Sequence, residues 1–198
     1  MFFQKQKGFS GALYKCYGEK GVKAMKDLAI RDDMAPTVSL LYSAAEENMT
    51  RLFSIVNHMT LEQLDYKGRS KTKNSTAQLL HHIANVDIRW VWRIKENRIP
   101  EHIIKLYGPM INENGCLPEV KGQPLHYYLN RLQHVLTELR NVCVTLKETD
   151  VNRELSYDKD TATIRWGIWH MADHNRYHQA HIEALKAEWR KDITENAL

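Results

Sequence analysis

The sequence predicts an all-α protein built as a four-helix bundle, and three observations carry that reading. Four stretches of the chain repeat apolar residues at the three- and four-residue spacing of one helix face. No stretch shows the strict apolar–polar alternation of a half-buried strand. At 198 residues the chain is long enough to bury a substantial core as one domain without disulfide staples. Amphipathic helices in that number cover their apolar stripes most simply by packing on one another.

Residues 1–33 read as a basic, glycine-containing arm, since Gly8, Gly11, Gly18 and Gly21 interrupt any helix and no apolar face is sustained. The bundle is expected over 34–190, with a short tail at 191–198. Pro36 suits a first helical turn, and Val38, Leu41, Ala45, Met49, Leu52 and Val56 give the first helix, about 35–58. A short helical turn at Thr60–Leu64 and a polar loop from Lys67 to Asn74 follow. Ser75 with Gln78 three residues on is a capping-box pattern. It starts a second helix to about Lys95, with Leu79, Ile83, Val86 and Trp90 on its inner face.

A long connection, 97–123, is punctuated by Pro100, Gly108, Pro109, Gly115, Pro118 and Gly122. Connections of this length in compact domains are often functional lids or carry a short helix. Pro124 opens the third helix, whose stripe runs through Leu125, Leu129, Leu132, Leu136, Leu139, Cys143 and Leu146. A loop from Glu148 to Asp160 leads to the fourth helix, about 162–190.

The charge balance is mild, 28 Lys and Arg against 24 Asp and Glu. A net +4 without a concentrated basic face does not point to nucleic acid. The lysines of the arm read as solvated. Cys16, Cys116 and Cys143 form no Cys-x-x-Cys pair, so a reducing, cytoplasmic setting is expected. No apolar run approaches the roughly 18 residues of a membrane span, and no signal-peptide pattern opens the chain.

The chemistry concentrates in the fourth helix. His170, His174, His178 and His181 lie at gaps of four, four and three, which puts them on one side of a helix. At about 100° per residue, His178 falls near the middle of the stripe of Gly167, Met171, Leu185 and Trp189. His174 lies about 40° to the side, His181 about 60° and His170 about 80°. On the second helix His82 falls between Leu79 and Val86, whereas its neighbour His81 turns toward Asn85 and Ile88. Three inward imidazoles from two helices suit a divalent metal with an open position. The plainer alternative is a set of core histidines satisfied by ordinary hydrogen bonds. His-Glu-x-x-His, Glu-x-x-His, Gly-x-Ser-x-Gly and phosphate-cradling glycine loops are all absent.

Two segments carry a family resemblance. Residues 74–90, Asn-Ser-Thr-Ala-Gln-Leu-Leu-His-His-Ile-Ala-Asn-Val-Asp-Ile-Arg-Trp, stand where the DinB-like superfamily has a second-helix motif with one ligand histidine. Residues 169–182, Trp-His-Met-Ala-Asp-His-Asn-Arg-Tyr-His-Gln-Ala-His-Ile, resemble its fourth-helix His-x-x-x-His motif. The turn Met59–Tyr66 is similar to the segment joining its first two helices. Where the family motif often continues as Arg-Gly-Gln-Ile, this chain has Gln-Ala-His-Ile, with His181 at the glutamine position.

The resemblance covers about 34–190 and implies an up-down-down-up bundle, frequently a homodimer. It also implies a divalent metal on His82, His174 and His178. Zinc or nickel is the leading expectation, with iron or manganese as further candidates. Relatives include S-transferases that use low-molecular-weight thiols such as bacillithiol or mycothiol, and a maleylpyruvate isomerase. The expectation is therefore an enzyme acting on a small molecule by thiol S-transfer or hydrolysis, with His181 or His170 as proton shuttle. Asp87 and Asp173 are expected to project away from the ligand faces, leaving no inward carboxylate as a base. The competing expectation is a non-catalytic metal-binding or stress-associated bundle, in which His170 or His181 closes the fourth position.

Overall fold

The computed structural model describes residues 25–196; the expectations for residues 1–24, including Cys16, lie outside the described residues. Four long helices make the frame: α1, Pro36–Val56; α3, Thr76–Ile94; α5, Leu125–Cys143; and α6, Ile164–Asn196. Between them lie short helices α2, Leu61–Asp65, and α4, Glu101–Tyr107. No helix among the described residues is long and apolar enough to cross a membrane.

Local chemistry explains the starts. Pro36 occupies the first turn of α1, where its missing N–H costs nothing. Reciprocal capping boxes open α2, through Thr60 and Gln63, and α3, through Ser75 and Gln78. Each satisfies two otherwise orphaned backbone amides. Gln78 does more than cap, because its amide also donates to the carbonyls of Leu117 and Pro118 at 3.4 and 3.0 Å. The N-terminus of α3 thereby anchors the far end of the long connection.

α1 packs on α6 and α5, and α3 packs on α5 and α6. In this closed ring α1 and α3 sit across from one another although they are successive among the long helices. The core is the set of inward stripes, with Val38, Leu52, Val56, Leu80, Ile83, Leu132 and Ile182 all fully buried. Leu41, expected on the α1 stripe, is only partly buried, and Tyr42 turns into the core instead.

Three elements depart from the expected pattern. The segment expected as a loop from Glu148 to Asp160 carries a 3-10 turn, Asp150–Asn152, and then a hairpin of β1, Glu154–Tyr157, and β2, Asp160–Thr163, whose second strand takes the residues expected to open the fourth helix near 162. The strands pair antiparallel with Leu155 opposite Ala162 and Tyr157 opposite Asp160. Four residues are too few for alternation to register in sequence, yet Leu155 is buried and Tyr157 packs on Trp90. α5 ends at Cys143 rather than near residue 147, and α6 continues to Asn196, past the expected end near 190.

Gly167 on α6 is a packing requirement. A Cβ there would stand 2.7 Å from the Trp90 indole, so the α3–α6 approach at that level depends on the missing side chain.

Candidate metal centre

Helix α3 supplies His82, and α6 supplies His174 and His178 one turn apart. Their placement follows from the stripes: Leu79 and Ile83 pin the inner face of α3, and Met171, Ile182 and Leu185 pin that of α6. The imidazoles meet in the α3–α6 seam. Nε2 of His174 lies 3.2 Å from Nε2 of His82 and 3.0 Å from Nε2 of His178. The ligand atoms of all three lie within 4.8 Å of one another. The rings stand edge-on, at interplanar angles of 61°, 84° and 82°.

The donor set fits a divalent ion. Nitrogens held about 2.0–2.1 Å from one tetrahedral zinc stand about 3.4 Å apart, close to the separations found. Burial, with the neighbouring imidazoles adding to it, pushes His174 down to about 3 and His178 to about 4. His82 is lowered by the same burial and by His81. The rings are therefore neutral near pH 7, the form in which imidazole binds metal. Hydrogen bonding alone does not account for the cluster. Three neutral rings carry only three N–H groups, and Nδ1 of each has no partner while Nε2 faces Nε2.

The flanking histidines take different places. His170 does not join the cluster: its ring stacks on Trp166 at 4.6 Å and 7°. His181 stays at the surface, its ring centre 5.8 Å from that of His178 and 4.5 Å from that of Tyr177. His81 is buried against Gly108, whose φ of +71° suits glycine. His134 is away from the site and pairs with the Tyr107 hydroxyl at 2.7 Å.

One wall of the site comes from the long connection. Asn85, fully buried on α3, donates to the carbonyls of Tyr107, Gly108 and Pro109 at 3.0–3.1 Å. Its own oxygen accepts from Arg89 at 2.8 Å. Arg131 holds the Leu106 carbonyl at 2.7 Å. This clamp brings the backbone of Pro109 and Met110 beside the His81 and His82 rings, where it works against the lowering by burial.

Asp87 differs from expectation. It does keep out of the triad, but it is buried, only 1 % exposed, and faces Asn175 at 3.5 Å. Burial raises its pKa well above the carboxylate range. Sequence held the signal, because Asp87 is four residues after Ile83 and three before Trp90, both inner positions. Asn85 and Asn175 were missed for a different reason: a lone amide on a helix gives no indication of which carbonyls it will meet. Cys143 is buried, its thiol pushed up to about 12 by that burial, and Cys116 is exposed; neither borders the triad.

Comparison with known proteins gives a family match. The sequence model of the DinB superfamily matches residues 44–182, a span that includes all three clustered histidines. A protein of Bacillus subtilis (strain 168), YkkA, described as uncharacterized, is 71% identical over 170 residues, covering 85% of this chain and 97% of its own length.

Proposed function

We propose that this chain, which belongs to the DinB superfamily, is a divalent-metal-dependent enzyme acting on a small molecule. The observation that carries the reading is a cluster of three imidazole nitrogens that no fourth His, Cys, Asp or Glu joins among the described residues. Three protein ligands leave a position for water or substrate, the pattern of catalytic rather than structural zinc sites. A bound divalent ion supplies Lewis acidity there, which lowers the pKa of a water or thiol held beside it.

The chain's own residues orient and move protons. His82, His174 and His178 hold the ion, and the Asn85 clamp fixes the wall behind His82. His181, at the solvent side of His178, carries a proton between site and solvent. His170, on the other side of the triad, is committed to aromatic packing, which favours His181 for this role. The absence of a carboxylate from the cluster favours thiol S-transfer over hydrolysis, since a thiol needs no strong base once its pKa has fallen. In that reaction the sulfur bonds to an electrophilic carbon as the bond to the leaving group breaks, and the thiol proton departs through His181.

The second reading is a non-catalytic metal-binding bundle, which needs His181 to turn inward and close the site. Cobalt-substituted protein separates the two. Adding 2-mercaptoethanol should produce a sulfur-to-cobalt charge-transfer band if the fourth position is open. An unchanged cobalt spectrum at saturating thiol would favour the closed, non-catalytic site.

A further inference from the structure

A cavity of about 380 Å³ lies one helical turn beyond the triad, on the side of His178. Leu79, three residues before His82 on α3, and His181, three after His178 on α6, both line it. Residues three apart on a helix are surface neighbours, so the cavity and the triad share the same two helix faces. Its volume is at the lower end of the range of about 300–1,000 Å³ typical of small-molecule pockets.

The lining is chemically lopsided. Leu79, Ala184 and Leu185 form an apolar side, and Lys73, Asn74 and His181 a polar one, with no carboxylate among the lining residues. Glu188, the carboxylate that Lys73 meets, is already engaged: Lys73 pairs with one oxygen at 2.5 Å and the Arg69 amide donates to the other at 3.0 Å. An ammonium has three N–H donors, so Lys73 keeps two for a ligand. The loop that carries it is held in place. Tyr66 donates to Asp192, and Arg69 pairs with Asp192 and Glu195, both on α6. Larger hollows of about 440 and 570 Å³ exist near Lys67 and near the hairpin. Each has at least one aspartate in its lining, and neither is lined by a residue within one helical turn of a triad histidine.

We infer that this cavity is the subsite for the non-reacting part of the substrate: a small molecule with an apolar body against Leu79, Ala184 and Leu185 and an anionic group on Lys73 and Asn74. The inference deepens the metalloenzyme reading and rests on it for the word substrate, but the binding site itself stands on the cavity. The ligand's reactive end then points past His181 toward His178.

The test uses the full-length, zinc-loaded protein and two fluorescent probes of the same shape. 8-Anilinonaphthalene-1-sulfonate has an apolar body and one sulfonate; N-phenyl-1-naphthylamine has the body alone. Wild type should bind the sulfonate probe saturably at one site. Ala184→Trp, which fills the cavity from an exposed position, should abolish that binding. Lys73→Met should weaken the sulfonate probe about tenfold and leave the uncharged probe unchanged. Lys71→Met, a cation of the same loop outside the cavity lining, should change neither. Zinc content measured on the same samples separates the two claims. Probe binding that survives Ala184→Trp, equal weakening of both probes by Lys73→Met, or no saturable binding to zinc-loaded wild type would overturn the subsite. Saturable binding that follows the expected pattern in protein that takes up no zinc would overturn the metal reading and leave the subsite standing.

Discussion

The two ends of the α3–α6 seam are built from the same helices and finish differently. Toward the hairpin, Gly167 admits Trp90, and Tyr157, Trp166 and His170 close around it with ring centres 4.6–6.2 Å apart. Farther along, three imidazoles face one another and a cavity opens one turn beyond them. Filled interiors satisfy their neighbours by dispersion and shape. The other end leaves polar atoms facing polar atoms, an arrangement that costs stability unless something bridges them. The comparison teaches that histidine identity alone does not make a site. His170 and His174 are one turn apart on α6, and only the packing opposite each decides which is structural.

The sharpest way to break the comparison is at the sealed end. Gly167→Ala forces a Cβ into the Trp90 ring and should cost about 1–3 kcal/mol, read as a lower urea midpoint, with metal stoichiometry unchanged. If Gly167→Ala also removes the metal, the two ends are not independent.

At the open end, Asn85→Ala frees the connection from its clamp on three carbonyls. Metal affinity should fall about tenfold, the lower end of the range for residues that support metal ligands, measured by chelator competition. An unchanged affinity would make the Asn85 clamp purely structural.

Asp87 lies on the same seam and tests what burial without a bridging ion does. Its folded pKa is raised, while the unfolded carboxyl ionises near its ordinary value of about 3.9. As pH rises above that value the unfolded chain releases a proton that the folded chain keeps, so stability is lost. Asp87→Asn removes this loss. In chelator-treated protein it should raise the urea midpoint, more at pH 8 than at pH 5. A larger gain at pH 5 would mean that Asp87 is ionised in the folded state.

The smallest expected effects separate the flanking histidines. His170→Gln loses ring stacking and should cost about 0.5–1.5 kcal/mol. His181→Gln, at the surface, should stay within about 0.5 kcal/mol. Equal effects on the thermal midpoint would remove the structural distinction between them.

Much of this was legible in the sequence, for identifiable reasons. The four long helices announce themselves by repeated stripes, and Ser75 with Gln78 marks the start of α3 nearly to the residue. His82, His174 and His178 share inner faces because spacing fixes direction on a helix. The hairpin escaped notice because Leu155 and Tyr157 are too few to make a period. Asn85 was illegible because its partners come from the backbone of a remote loop. The cavity depends on Lys73 and Asn74, which read simply as loop residues until the ion pairs to α6 are known.

The central claim is that the three imidazoles hold a metal ion. Elemental analysis by mass spectrometry of tag-free protein, with His178→Ala and His134→Ala in parallel, tests it most directly. Near-stoichiometric zinc, nickel, iron or manganese in wild type and His134→Ala, lost in His178→Ala, is the predicted result. No metal in wild type as purified or after reconstitution, or equal metal in all three proteins, would contradict it.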